Sequence, residues 1–202
     1  AVDGSSSWGL SNNFGSTVNM SNIVGFSFYI RATSSAPASL RFNLVSTAID
    51  TSEEGNWGKS FVAPTSGWTA VTLFASEFDQ AYTITGSTAK ATALSSVTNL
   101  EIQCNNQTGA ITLNLDEVCL LTSACTPTKT VTRTPTANPI GACWPVDDFD
   151  DGNVSNYFNY AWNTYTWTST ATVTYASVST TGAYSGYSLS WSGTSTSSTG
   201  GD

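Results

Sequence analysis

The sequence predicts an all-β protein of short antiparallel strands, split into two parts by a Thr/Pro-rich linker. Ser and Thr dominate the 202 residues, 16 are Gly, and only 10% are charged. This composition disfavours helices and suits strands joined by turns. Apolar and polar residues alternate in several segments. Residues 125 to 141 instead carry prolines that fix φ and remove amide donors, which favours an extended, polyproline-like linker.

The first part, residues 1 to 124, opens with a Ser/Asn/Gly-rich stretch that predicts only a short strand around Val18 and Met20. Apolar residues then alternate with polar ones over residues 26 to 30 and again over 40 to 44. This period of two is typical of half-buried strands, so we expect two antiparallel strands here.

The rest of the first part contains a polar stretch over residues 47 to 67 and a predicted strand from Trp68 to Phe74, whose tryptophan we expect in the core or in a contact between subunits. Residues 97 to 104 and 111 to 121 have matching apolar positions on either side of an Asn/Gly-containing turn. We therefore expect them to pair as a hairpin.

The second part, residues 142 to 202, predicts about three strands: one near Trp144, one over residues 171 to 178, and one over 186 to 191, whose Trp191 we expect in the core or in a contact between subunits. Three strands do not close a sandwich, and small isolated sheets are marginal in water. Together with about five strands from the first part, they make the eight of a jelly roll.

Charge and composition exclude several classes of function. The net charge is -8 and there are six Lys plus Arg, which argues against nucleic acid or an anionic membrane as partner. His is absent, which removes the commonest general base, and the adjacent acids Glu53/Glu54 and Asp147/Asp148 do not point together across a cleft. We expect no enzyme activity.

The four cysteines and the Thr-rich linker indicate an extracellular or cell-surface protein, because disulfides persist outside the cell. The chain begins with Ala1, which indicates either a mature secreted protein or a piece of a longer one.

Five segments resemble successive segments of jelly-roll carbohydrate-binding modules, which are galactose-binding-like β-sandwiches. The resemblance implies a β-sandwich fold. The segments are Asp-Asp-Phe-Asp-Asp-Gly at 147 to 152, Gly-Ala-Tyr-Ser-Gly-Tyr-Ser-Leu at 182 to 189, and those at 18 to 30, 67 to 78 and 113 to 118. In such modules the first two segments open the domain and the other three follow. This chain carries the opening after the linker, so the two parts are complementary halves in swapped order.

Three arrangements of the halves are open. The second half folds back onto its own first half, or it completes the first half of the next molecule in a head-to-tail filament, or the chain is one period of a tandem array. The extended linker reaches on the order of 50 Å, and a domain of this size is about 40 Å across. Both bridging and folding back are therefore allowed.

We expect a non-catalytic structural role, as an extracellular filament or fibre subunit in which strand complementation joins identical subunits. The alternative is a permuted or tandem carbohydrate-binding module of a secreted polysaccharide-degrading or cell-surface protein, with a neutral polysaccharide as ligand.

Aromatic residues are the candidates for sugar binding, because sugar rings pack on exposed aromatic planes. Tyr165 and Trp167 lie two apart and so share a strand face, with Trp162 close by. Trp57 lies in a polar, Gly-flanked stretch. The competing interpretation is that these rings fill the core or a contact between subunits.

No cofactor is required by the sequence. The resemblance implies a structural calcium ion where the first and last strands of the module meet, which would involve Asp116 and Asp148. Calcium prefers several oxygen ligands, and an ion at this place would tie the two halves together.

The cysteines allow several pairings. In the predicted hairpin, Cys104 lies by the turn and Cys119 about 30 Å away along the other arm, beyond the reach of a disulfide. This disfavours pairing Cys104 with Cys119 and Cys125 with Cys143. A bond from Cys119 to Cys143 would join a last strand to a first one, within a molecule or between molecules.

Overall fold

The computed structural model describes residues 7–33, 38–46, 56–65, 67–80, 90–105, 109–122, 142–156, 159–166, 171–181 and 183–195. Almost all of its regular structure is strand. The strands are β1 Ser7–Val18, β2 Ile23–Thr33, β3 Ala38–Ser46, β4 Trp57–Ala63, β5 Thr69–Phe74, β6 Asp79–Gln80, β7 Val97–Asn105, β8 Gly109–Thr122, β9 Ala142–Asp147, β10 Trp162–Thr166, β11 Ala171–Val173, β12 Ser177–Ser179 and β13 Ser188–Ser195. A 3₁₀ turn, Ala75–Glu77, and a short helix α1, Lys90–Leu94, complete the described elements. Neither is long and apolar enough to cross a membrane.

The strands form two antiparallel sheets, which confirms the all-β prediction. The first sheet has the order β10-β1-β7-β3-β4-β6, and the second has the order β11-β13-β8-β2-β5, with β12 added to β13 and β9 added to β8. A single apolar core lies between the sheets. Phe26 of β2 meets Phe42 of β3 across it, with ring centroids 4.7 Å apart.

The alternation of apolar and polar residues explains why these segments form strands. In β2, Phe26, Phe28 and Ile30 face the core while Tyr29 and Arg31 face outward, because successive side chains of a strand point to opposite faces. Each apolar residue removed from water in this way stabilises the fold by about 2 kcal/mol.

The predicted hairpin of residues 97 to 104 with 111 to 121 is wrong. Strand β7 lies in the first sheet between β1 and β3, whereas β8 lies in the second sheet between β2 and β13. Their matching apolar positions face each other through the core instead of lying side by side, and the chain crosses between sheets after Asn105. A period of two identifies the buried face of a strand but not its neighbour.

Two long strands were missed. Strand β1 occupies most of the Ser/Asn/Gly-rich opening, and β4 lies inside the polar stretch of residues 47 to 67. Trp191 lies in the core as predicted, with 1% of its surface exposed. Trp68 lies half-buried on the outer face of the second sheet, which excludes the core for it and leaves the predicted contact between subunits untested.

Candidate functional site

The candidate site is the joint between an N-terminal part, residues 7–122, and a C-terminal part, residues 142–195. Strand β13 pairs with β8, so that Leu189 lies opposite Leu115 and Trp191 opposite Leu113. Strand β9 also pairs with β8, and β10 pairs with β1 at the edge of the first sheet. Both sheets are therefore completed by strands that follow residue 141.

The described C-terminal part is incomplete by itself. Strands β11 and β12 pair with β13, but the ladder partner of β9 is β8 and that of β10 is β1, both of which belong to the N-terminal part. The N-terminal part in turn would present β1 and β8 as long open edges, which are prone to pair with another chain. Each part supplies the strands that pair with the open edges of the other part.

Apolar packing across the joint is close. Gly193 of β13 lies flat against the ring of Trp8 in β1, and a Cβ atom at this glycine would come within 2.3 Å of that ring. Trp8 is fully buried. Because Gly193 has no side chain, the Trp8 ring packs directly against its backbone.

A buried amide pair also crosses the joint. The Asn156 side chain donates to Oδ1 of Asn12 at 2.8 Å, and Nδ2 of Asn12 donates to the carbonyl of Tyr160 at 2.9 Å. Both asparagines are buried. Because a buried polar group without a partner is costly, these bonds favour one register of the two parts over others.

Asp116 at the joint is a fully buried acid. Its Oδ1 accepts the N–H of Glu117, and its Oδ2 accepts the N–H of Ser185 from the C-terminal part. Burial raises the pKa of Asp116 to about 7. The two hydrogen bonds lower this pKa, and the negative charges of Glu117 and Asp150 raise it further.

Asp147 at the end of β9 is a second buried acid. Its Oδ2 accepts the indole N–H of Trp162 at 2.8 Å and its Oδ1 accepts the N–H of Phe149. Burial raises the pKa of Asp147 to about 7 despite both bonds. Trp162 is only 3% exposed, so its ring is not available to a sugar, and the prediction of Trp162 as a binding residue is wrong.

An aromatic cluster that sequence reasoning missed covers the joint from outside. The ring of Tyr184, from the C-terminal part, stacks on that of Tyr29 with centroids 3.8 Å apart, and meets Trp68 edge-on at 6.0 Å. The Arg31 guanidinium lies 5.3 Å from the centre of the Trp68 ring. The Gly/Ser-rich loop around Tyr184 has no periodic pattern that would have indicated this contact.

The remaining predicted sugar-binding residues do not form a row. Trp57 lies on β4 opposite Leu44, on the core side, with the Lys90 ammonium 5.4 Å from its ring centre. Tyr165 lies on β10 over Gly9, on the outer face of the same sheet, and donates to Glu101 at 3.4 Å. Four strand spacings, about 19 Å, separate β4 from β10. Trp167 lies outside the described residues.

The structure does not test the calcium prediction, but it shows where its two residues lie. Asp116 is buried at the meeting of β8 with the C-terminal part, but its charged neighbours are Glu117 and Asp150, whereas Oδ1 of Asp148 accepts the N–H of Asp150. Within the described ranges, no three acidic, His or Cys side chains converge as a metal site. Calcium at Asp116 and Asp148 therefore stays a prediction.

Two of the four cysteines have a defined state. Cys104 is buried and free, and Cys119 is disulfide-bonded. This agrees with the expectation that these two do not bond to each other. Cys125 lies outside the described residues, and only the backbone of Cys143 is described, in β9.

Comparison of the chain with protein-family models, with curated proteins and with solved structures returns no match in any of the three. The function is therefore inferred from the residues and their geometry.

Proposed function

We propose that this protein is the subunit of an extracellular filament in which the C-terminal part of each chain completes the N-terminal part of the next. The supporting observation is the length of chain between β8 and β9. Thr122 and Ala142 are direct partners in the antiparallel ladder, which places their Cα atoms about 5 Å apart. Residues 123–141 connect them, about four times as many as an ordinary hairpin loop uses.

The composition of this connection favours exchange between chains. An extended Thr/Pro segment of this length spans about 60 Å, so bringing its ends to about 5 Å requires a full reversal of the chain. A stiff linker seldom makes that reversal, which lowers the effective concentration of a chain's own C-terminal part at its own joint. The identical part of a neighbouring molecule makes the same contacts without the reversal.

The joint has the character of an interior rather than of a transient contact. Among the described residues of the C-terminal part, six apolar side chains are buried: Val146, Phe149, Trp162, Ala171, Leu189 and Trp191. A contact of this kind resembles a domain core divided in two, as in obligate assemblies. Each subunit donates its C-terminal part to one neighbour and receives that of another, so the contacts are head-to-tail. Such an assembly grows into an open filament unless the rotation between successive subunits closes it into a ring.

The test is the mass and appearance of the native protein at micromolar concentration, by light scattering after gel filtration and by negative-stain microscopy. We expect threads or a series of multimers of the 21.2 kDa chain. The matched control replaces residues 123–141 with Asn-Gly, a two-residue turn that joins β8 directly to β9 and is too short to reach a neighbour. It is expected to be a monomer. A wild-type protein that is entirely monomeric would refute the proposal.

Carbohydrate binding is a second candidate, favoured by the aromatic cluster of Tyr29, Trp68 and Tyr184 beside Arg31. Tyr184 is 42% exposed, and the buried Nε of Arg31 has no hydrogen-bond partner in the described part of the chain. Aromatic planes with a nearby donor suit a pyranose ring and its hydroxyls. The net charge of -8 favours a neutral polysaccharide over an anionic one.

Affinity electrophoresis in gels containing neutral polysaccharides tests this second function. Trp68→Ala should abolish retardation, and Trp57→Ala, whose ring points to the core side, is the control that should retain it. Equal retardation of both variants would exclude the cluster as the site.

A further inference from the structure

Strand β1 would be an open edge of the first sheet if β10 of the C-terminal part did not pair with it. Open edges accept other strands with little selectivity, because every strand carries the same backbone donors and acceptors. A subunit that exchanges parts through such an edge needs side chains that distinguish the right strand from a wrong one. The inner face of β1 contains such a residue.

Asn12 is a buried amide on that inner face. In the ladders it lies in one row with Trp162 of β10 and Leu100 of β7, and all three residues are buried. Its two neighbours in the row are apolar, so the packing of the sheets does not by itself require an amide at this position.

Both side-chain hydrogen bonds that the structure gives Asn12 come from the C-terminal part. Oδ1 of Asn12 accepts Nδ2 of Asn156 at 2.8 Å, and Nδ2 of Asn12 donates to the carbonyl of Tyr160 at 2.9 Å. Asn156 is held for this contact within its own part, because its backbone N–H donates to the same carbonyl and its Oδ1 accepts the Tyr160 N–H at 3.1 Å. The C-terminal part thus presents one donor and one acceptor that match a single amide.

Packing on β1 fixes the carbonyl that Asn12 contacts. The Tyr160 ring meets the Phe14 ring edge-on, with centroids 6.3 Å apart. It also lies against Gly15, where a Cβ atom would come within 2.9 Å of the tyrosine ring. Shape and hydrogen bonding on the same strand therefore recognise the same segment of the C-terminal part.

We propose that Asn12 selects the strand that may fill the open edge of β1: a C-terminal part of another copy of this chain, which presents Asn156 and the Tyr160 carbonyl. The inference rests on the proposed exchange, which brings β1 and β10 from different molecules. A strand that places an apolar residue against Asn12 leaves a buried amide without partners, and this is costly. Backbone pairing drives the association, and Asn12 decides which strand is accepted.

Sorting of labelled chains tests this selection. Equal amounts of ¹⁴N wild-type chains and ¹⁵N chains that carry both Asn12→Leu and Asn156→Leu are unfolded together in urea with reductant and refolded slowly. Photo-oxidation of Tyr29 and Tyr184 to dityrosine then records each joint, and mass spectrometry reads the labels of the linked peptides. Joints within one kind of chain pair amide with amide or leucine with leucine, whereas a mixed joint sets an amide against a leucine.

Selection predicts that mixed joints are rare. Random pairing gives mixed labels in about half of the joints, as in a mixture of labelled and unlabelled wild-type chains. An unpaired buried amide lowers the equilibrium constant of a joint about fivefold or more, so we expect mixed labels in about one joint in six or fewer.

The matched control carries Thr17→Leu and Asn163→Leu, which add one exposed leucine to β1 and one to β10. Mixed with wild-type chains, it should give the random half. Circular dichroism checks that each variant is folded. If the leucine pair does not fold, the smaller pair Asn12→Val and Asn156→Val takes its place.

Mixed labels in half of the joints of the leucine pair would overturn the inference, because exchange would then occur without selection at Asn12. The wild-type mixture separates this failure from that of the proposed function. Wild-type joints that never mix labels would show that each chain closes on itself, and selection of a neighbour would be refuted together with the exchange.

Discussion

The ring of Tyr184 lies on the ring of Tyr29 with their centroids 3.8 Å apart and their planes within 16° of parallel. Tyr29 belongs to the second strand of the N-terminal part and Tyr184 to a loop of the C-terminal part. The stack is therefore a direct reporter of whether the two parts are joined, and it is accessible because Tyr184 is partly exposed.

Truncation of this stack should weaken the joint. Tyr184→Ala is expected to lower the free energy of unfolding by about 1 kcal/mol, the contribution of an aromatic pair beyond its buried area, measured by urea denaturation. Tyr175→Ala is the matched control, since Tyr175 lies in the same part and is 92% exposed. Equal losses in the two variants would show that the stack does not stabilise the joint.

The phenol of Tyr29 should report the same contact in its titration. The hydrogen bond to Tyr184, with smaller contributions from burial and from the charges of Tyr184 and Glu117, raises the pKa of Tyr29 to about 12. Tyr184→Ala should bring this pKa back towards the usual value near 10, followed by ultraviolet absorbance against pH. An unchanged titration would mean that Tyr184 does not lie on Tyr29 in solution.

Gly193 should tolerate no side chain. Gly193→Ala places a methyl group against the Trp8 ring, and overpacking of this kind costs about 1–3 kcal/mol. We expect lower mass by light scattering and an earlier urea midpoint. Ser190→Ala, on the same strand, should leave both unchanged; an equal effect of the two substitutions would contradict the packing of Trp8 on Gly193.

Stability should fall as the pH rises from about 4 to about 7. Burial raises the pKa of Asp116 and of Asp147 to about 7, so the folded state binds these protons more tightly than the unfolded chain, whose Asp pKa is near 4. Their contribution to stability is complete below about pH 4 and is lost through this window, by on the order of a few kcal/mol.

Urea midpoints at several pH values measure this dependence. Asp116→Asn should flatten the slope, even though it loses one acceptor and lowers stability at pH 4, whereas Glu77→Gln in the exposed 3₁₀ turn should not alter it. A stability that rises from pH 4 to pH 7 would contradict the raised pKa of these two buried carboxyls.

Calcium would reverse this trend if it binds at Asp116. An ion held by Asp116 favours the ionised carboxylate, so millimolar calcium should raise the melting temperature at pH 7 more than at pH 4. Magnesium, which demands a stricter geometry, is the control, and Asp116→Asn should remove the effect. If calcium does not change the melting temperature at pH 7, the calcium prediction is wrong.

Strands with regular alternation were predictable from the sequence, and their neighbours were not. Phe26, Phe28 and Ile30 identify β2 because its whole inner face is apolar. In β1 the inner face is interrupted by Asn12, and this residue is tolerated there because Asn156 and the carbonyl of Tyr160 satisfy its amide. That compensation comes from nearly 150 residues away, so a local pattern does not indicate it.

The candidate site was predictable only in outline. Thr/Pro alternation and the swapped order of segments indicated two complementary halves, but the residues that connect them are single, non-periodic positions such as Gly193, Ser185 and Tyr184. Trp162 shows the converse difficulty. Its closeness in sequence to Tyr165 and Trp167 suggested a binding surface, whereas its indole N–H is satisfied by the buried Asp147.

The most direct test of exchange is a zero-length cross-link between Tyr29 and Tyr184. Equal amounts of ¹⁴N- and ¹⁵N-labelled chains are unfolded with reductant, mixed and refolded together, oxidised by light to form dityrosine, and digested for mass spectrometry. Exchange between subunits predicts that about half of the Tyr29–Tyr184 peptide pairs carry one light and one heavy member, as random pairing requires. Pairs that are only light–light or heavy–heavy would show that each chain closes on itself and would contradict the filament.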